Sequence, residues 1–183
     1  MEARRRPLEA LLALLAALLI ALALAACGEE EKTSGDEGEY VKAGEALYQV
    51  QISRLMNPGV RPDNDLLRGQ PTLPADEQYL GVFLTVENEG DEPYTPPRDM
   101  RVVDTDGNEY LPIDVSATGF GLSLSEPIEA KQTAPPPDSP GFTSPQGGAL
   151  ILFRVSETSV TENLPLELKI PADGEESTIT LDL

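Results

Sequence analysis

The segment from Tyr79 to Glu87 reads Tyr-Leu-Gly-Val-Phe-Leu-Thr-Val-Glu, apolar on both parities, with Leu80, Val82, Leu84 and Val86 on one face. A run of this length, rich in β-branched and aromatic residues and followed at once by Asn88, Glu89, Gly90 and Asp91, reads as a central strand ending in a turn. Pro93, Pro96 and Pro97 then forbid a helix. The same period of two recurs elsewhere. Tyr48, Val50 and Ile52 alternate with Gln49, Gln51 and Ser53, and Ile179, Leu181 and Leu183 alternate with Thr178, Thr180 and Asp182. Asp106-Gly107 sits between apolar segments at 100–104 and 109–113, a strong hairpin signal. Further strands are expected at 128–133, 149–155 and 164–170, with Pro165 placing the last of these at a sheet edge. No segment after Cys27 carries helical periodicity. Some eight short strands from residue 45 onward predict an all-β chain folded as one antiparallel sandwich, large enough to need no disulfide. The proline-rich stretch 134–140, together with Pro145, is expected to be an exposed connection.

The N-terminus follows different rules. Arg4, Arg5 and Arg6 precede an uninterrupted apolar run at 10–26, which ends Leu24-Ala25-Ala26-Cys27. A basic segment, an apolar stretch and small residues at its end have the layout of an export signal. The tetrapeptide resembles the lipobox of bacterial lipoproteins, which implies a cleaved signal peptide at 1–26 and a lipid on the sulfur of Cys27. An uncleaved membrane helix, a secretory signal with a passenger Cys, and a buried core helix are the competing readings. The run is short for a bilayer core, which asks for about 20 apolar residues. Residues 28–39 contain no apolar side chain at all, so 27–44 is expected to be a disordered acidic tether. A flexible chain of that length averages roughly 20–25 Å end to end.

Charge removes whole classes of function. The chain has 13 Lys+Arg against 32 Asp+Glu, no His, no Trp and one Cys, for a net charge of -19. Such a polyanion repels nucleic-acid backbones. Without His, neither a Ser/His/Asp triad nor a Cys/His dyad exists, and the single Cys closes no intramolecular disulfide. Three Met and no His argue against a copper carrier.

The segments 79–93, 100–110 and 148–155 together resemble a domain of unknown function widespread in secreted bacterial lipoproteins. The resemblance covers about residues 46–183 and implies an immunoglobulin-like sandwich of seven to eight strands, similar to the mycobacterial secreted immunoprotective antigen. Where that family has a Pro-Gly-Gly turn, this chain has Pro145, Gln146, Gly147 and Gly148. It supplies no catalytic residues.

Four groups of residues invite sharper chemical readings. Asp104, Asp106, Asn108 and Glu109 resemble the opening of a calcium loop, but an EF-hand needs twelve residues and flanking helices, so a hairpin turn is the better reading. The carboxylate pairs Glu87 with Glu89, and Asp91 with Glu92, could in principle do acid/base work, although so acidic a chain makes such pairs by composition alone. Ser125 and Lys131 lack any local nucleophile motif. Of Tyr40, Tyr48, Tyr79, Tyr94 and Tyr110, the second and third sit in strand patterns and are expected in the core. The leading expectation is a membrane-anchored extracytoplasmic lipoprotein with a non-catalytic binding or protein-interaction domain and no cofactor. Its partners would be the membrane, through the lipid, and an envelope protein, wall component or small ligand. A calcium-binding accessory lipoprotein is the alternative, and an enzyme using paired carboxylates comes third.

Overall fold

Strand β4 (Glu77–Asn88) is buried on both faces along most of its length, as its two apolar parities predict. In the computed structural model, residues 32–115 and 118–183 are described, and eleven strands among them form two sheets. The first is ordered β1 (Ser34–Asp36), β11 (Glu175–Leu181), β10 (Leu166–Ala172), β5 (Arg101–Val103), β6 (Glu109–Tyr110). The second runs β2 (Tyr40–Ala43), β3 (Ala46–Met56), β4, β9 (Ala149–Ser156), β7 (Pro112–Ile113), with β8 (Thr133–Ala134) also on β4. The β-sandwich expected from the alternation is present. All strand pairings are antiparallel except β1 on β11.

Two apolar layers result. Between the sheets pack Tyr48, Leu80, Leu84, Met100, Phe153, Leu168 and Ile179, all fully buried. A second cluster lies on the outward face of β4 and β9, where Phe83, Leu150 and Leu152 meet Met56, Leu66, Leu67, Tyr79 and Val115. The lid over that face is the long connection 57–76, which contains the short helix α1 (Asp63–Leu66). Two more short helices, α2 (Pro140–Thr143) and α3 (Glu157–Thr161), are capped by Ser139 and Ser156, whose hydroxyls accept from Phe142 N and Ser159 N. The first begins at Pro140, the last residue of the proline-rich stretch read from the sequence as an exposed connection.

Several expectations need correction. Part of the acidic tether is structure: β1 and β2 fall inside 27–44 and belong one to each sheet. Val41 and Ala43 bury completely there, and polar groups find partners that composition does not reveal. Glu37 accepts hydrogen bonds from Ser53 N at 3.1 Å, Asp182 N at 3.1 Å and the Ser53 hydroxyl. A Cβ at Gly35 would lie 2.8 Å from Glu39 Oε2 and 3.0 Å from a Val41 methyl, so glycine lets β1 approach these side chains without displacing them. Ile52 does not continue the face of Tyr48 and Val50. A bulge at Gln51 shifts the register, so Ile52 turns outward, 36% exposed, and Ser53 turns in. Strand β10 is interior rather than at an edge, because Pro165 precedes its first residue and costs the ladder no donor. Segment 109–113 is two strands, β6 and β7, through which the chain crosses from one sheet to the other. Segment 128–133 is reduced to a bridge at Ile128 and the start of β8.

Candidate functional site

The Asp104 turn is built to hold itself together. Its carboxylate, 5% exposed, accepts from Asp106 N at 3.0 Å and Asn108 N at 2.9 Å through one oxygen. The other oxygen accepts from Asn108 Nδ2 at 2.8 Å, Ser159 Oγ at 2.6 Å and Asn163 Nδ2 at 3.3 Å. Gly107, at φ 84°, supplies the left-handed residue that closes the loop between β5 and β6. Burial pushes the Asp104 carboxyl upward, but the donors around it outweigh that and hold it well below the usual carboxylate range. The structure therefore brings Asp104, Asp106 and Asn108 together as a hairpin turn. Glu109 points elsewhere, accepting from Arg101 Nε at 3.1 Å. Asp106 accepts from Asn163 Nδ2 at 3.0 Å. Among the described residues, no three His, Cys, Asp or Glu side chains are grouped so as to hold a metal ion.

The other nominated groups are dispersed. Glu89 pairs with Lys42 at 2.9 Å, and Asp91 with Lys131 at 3.1 Å. Lys131 also donates to the Glu89 carbonyl at 2.5 Å, while Ser125 meets only the Ser123 hydroxyl at 3.5 Å. Glu87 lies exposed on β4, and the Glu92 carbonyl accepts from Asn88 Nδ2 at 2.8 Å. Tyr48 and Tyr79 are core residues as expected, and Tyr48 shares a 2.7 Å hydroxyl contact with Tyr94. Leu24, Ala25, Ala26 and Cys27 lie outside the described residues.

Sequence reading missed an ion pair and a groove. Arg54 grips buried Asp63 with both guanidinium nitrogens, Nη1 at 2.9 Å and Nη2 at 2.5 Å, while stacking 5.5 Å from the Phe83 ring centre. Asn57 N adds a 2.7 Å hydrogen bond to the same carboxylate. Burial raises the Asp63 pKa, and the Arg54 and Asn57 contacts lower it further than burial raises it. This clasp ties 57–63 to β3. Beyond it the lid leaves two adjoining hollows of about 620 and 540 Å³, which share Gln70, Pro71 and Tyr79. The first is bounded by Leu55, Met56 and Leu73, the second by Leu111, Ile113 and Arg154. Tyr79 fixes the shared wall by donating its hydroxyl to the Pro71 carbonyl at 2.8 Å. The available signal was a proline-punctuated connection that nonetheless carries Leu66, Leu67 and Leu73. A third hollow, about 440 Å³, opens at the sheet edge between Phe120, Ile128 and Pro135.

In sequence comparisons, no family model matches the chain and no curated protein matches it significantly. Solved structures do match. An uncharacterised β-sandwich protein from Clostridium difficile aligns at TM-score 0.50 and 16% identity, over 85% of this chain and 98% of that one. The YjhA protein of Bacillus subtilis aligns at TM-score 0.52 and 15% identity, over 81% and 99%. MPT63, a secreted protein from Mycobacterium tuberculosis, aligns at TM-score 0.49 and 16% identity, over 82% and 96%. At these identities the likeness is one of fold. This chain shares the sandwich architecture of the first two.

Proposed function

We propose that the chain is a lipoprotein, anchored through Cys27 on the extracytoplasmic face of the cell membrane, whose sandwich is a non-catalytic binding module. The observation that carries the binding reading is how the polar groups are spent. Every buried side-chain nitrogen and oxygen among the described residues has a hydrogen-bond partner within the chain. The strongest carboxylates, Asp63 and Asp104, are consumed by internal donors. Open concave surface is instead walled mainly by aliphatic side chains, prolines, tyrosines and neutral amides, and its charged members Glu77, Glu109 and Arg154 are held in ion pairs, which suits recognition better than bond breaking. The anchor reading is supported by Leu24-Ala25-Ala26-Cys27 at the end of an apolar run. No helix among the described residues is long and apolar enough to cross a membrane. Two or more acyl chains hold a protein stably on a bilayer, whereas one does not.

Mass spectrometry of protein purified from its native cell tests the anchor: the expected N-terminal peptide begins at Cys27 and carries a diacylglyceryl group. A bare thiol would end the anchored reading. For the module, alanine replacement of Asp104 is expected to lower stability without abolishing any specific activity; loss of a catalytic turnover in a fully folded variant would reverse the non-catalytic assignment.

A further inference from the structure

We infer that the hollow beside Arg98 binds a small molecule that carries one carboxylate on a short apolar body. Such a site deepens the binding-module reading and rests on it for a ligand that is held and released unchanged. Charge singles out the residue. Ten Lys and Arg side chains lie among the described residues, and nine of them are in ion pairs with carboxylates, even the exposed Arg61, with Asp65 at 3.8 Å. Arg98 alone among them has no carboxylate partner, although Asp99 follows it directly and acids outnumber bases 32 to 13. Its guanidinium is nonetheless held. Nε donates to the Leu124 carbonyl at 3.1 Å, and the two terminal nitrogens donate to nothing among the described residues. Two N–H groups side by side in one plane match the two oxygens of a carboxylate, a geometry that lysine lacks.

The hollow is a gap left along the outer edge of β9. Residues 120–122 cover that edge at Leu150, whose N–H donates to the Phe120 carbonyl at 2.8 Å and whose carbonyl accepts from Leu122 N at 2.9 Å. Strand β7 covers it again at Leu152 and Phe153. Between the two covers a space of about 330 Å³ remains, lined by Ile113, Val115, Leu122, Leu124, Leu150 and Ile151 together with Arg98. That is the small end of ligand pockets, which run from about 300 to 1,000 Å³. Six aliphatic side chains give nothing to the hydroxyls of a sugar acid and suit a body of a few carbons. Asp114 and Ser125 border the hollow as well. A second negative charge on the ligand would face both Asp114 and the chain's net charge of -19, which favours a monocarboxylate over phosphate or a dicarboxylate. Arg98 is exposed, so its charge is hydrated and the affinity it adds is modest.

The test titrates the full chain, in zwitterionic nanodiscs, with sodium hexanoate, hexan-1-ol, sodium succinate and sodium phosphate, followed by NMR at the Arg98 Nε–H and at the methyls of Ile113 and Leu122. Hexanoate is expected to shift all three groups saturably and to bind at least tenfold more tightly than hexanol, succinate or phosphate. R98Q is expected to bring hexanoate down to the affinity of hexanol, and R98K to recover only part of the loss. R68Q, which removes a base already paired with Asp65, leaves binding unchanged. Hexanoate binding no tighter than hexanol, equal hexanoate affinity in R98Q and wild type, or phosphate binding as tightly as hexanoate overturns the site. Hexanoate is recovered after each titration. A bound but chemically altered ligand reverses the non-catalytic reading alone, whereas intact hexanoate without saturable shifts removes this site alone.

Discussion

The two sheets treat their outward faces differently. Strands β4 and β9 of the second sheet are buried on both sides, because the 57–76 lid and the segment around Val115 and Phe120 add an apolar layer beyond the sandwich. Strands β10 and β11 of the first sheet alternate: Leu168, Ile170, Ile179 and Leu181 face in, and Lys169, Thr178 and Thr180 meet solvent. A strand's composition thus records how many layers pack against it. In this protein the extra layer comes from a connection, and the two hollows open where Gln70 and Pro71 of that connection meet Tyr79 of β4.

The largest effect expected from this contrast is at Phe83, on the covered outward face. F83A should cost about 4 kcal/mol in chemical denaturation, the cost of emptying a well-packed aromatic site. T180A, on the bare face, should stay within about 0.5 kcal/mol. A small effect at Phe83 would mean that the lid is not a second core. Next comes R54A, which strands the buried Asp63 carboxylate and should cost about 3 kcal/mol. Its signature is regional: amides of 57–76 should exchange faster while those of β10 remain protected. Equal loosening of both would erase the distinction between lid and sandwich.

Acid sharpens the comparison further. Asp63 and Asp104 have folded-state pKa values below the ordinary carboxylate value, so the stability they confer is fully present above the unfolded value of about 4 and is lost as pH falls through their lower folded values. Denaturation midpoints should be flat above that point and decline below it. D104N, which removes the titration, should lower stability near neutrality by about 2 kcal/mol and shallow the acid decline. An unchanged acid slope would show that Asp104 does not set it. Smallest of all should be T178V, since Thr178 stands on the bare face; a shift above about 0.5 kcal/mol would reveal a covering for the first sheet.

Much of the fold is legible residue by residue. The double apolar parity of 79–87 marks the central strand, and Asp106-Gly107 marks the β5–β6 turn. Ile52 misleads because a single inserted residue, Gln51, reverses every side chain after it, and pattern reading has no sign of the bulge. Residues 34–43 mislead for another reason. Composition counts apolar side chains, whereas this segment is held by Val41, Ala43 and the long-range bonds of Glu37 to Ser53 and Asp182. Of the candidate site, the lipobox-like tetrapeptide is local and readable. The groove is assembled from Leu55, Gln70, Tyr79, Leu111 and Arg154, whose separations along the chain encode nothing until the lid is folded.

The strap formed by β1 and β2 has a mechanical consequence. It joins one strand to each sheet, with three residue pairs to β11 and four to β3. Any pull transmitted through the backbone ahead of Lys32 enters these strands lengthwise, so their ladders must slide as a set instead of opening one rung at a time. β1 and β2 are therefore a shear joint, and the seam they close with β11 and β3 is where tension applied from the N-terminal side would be borne.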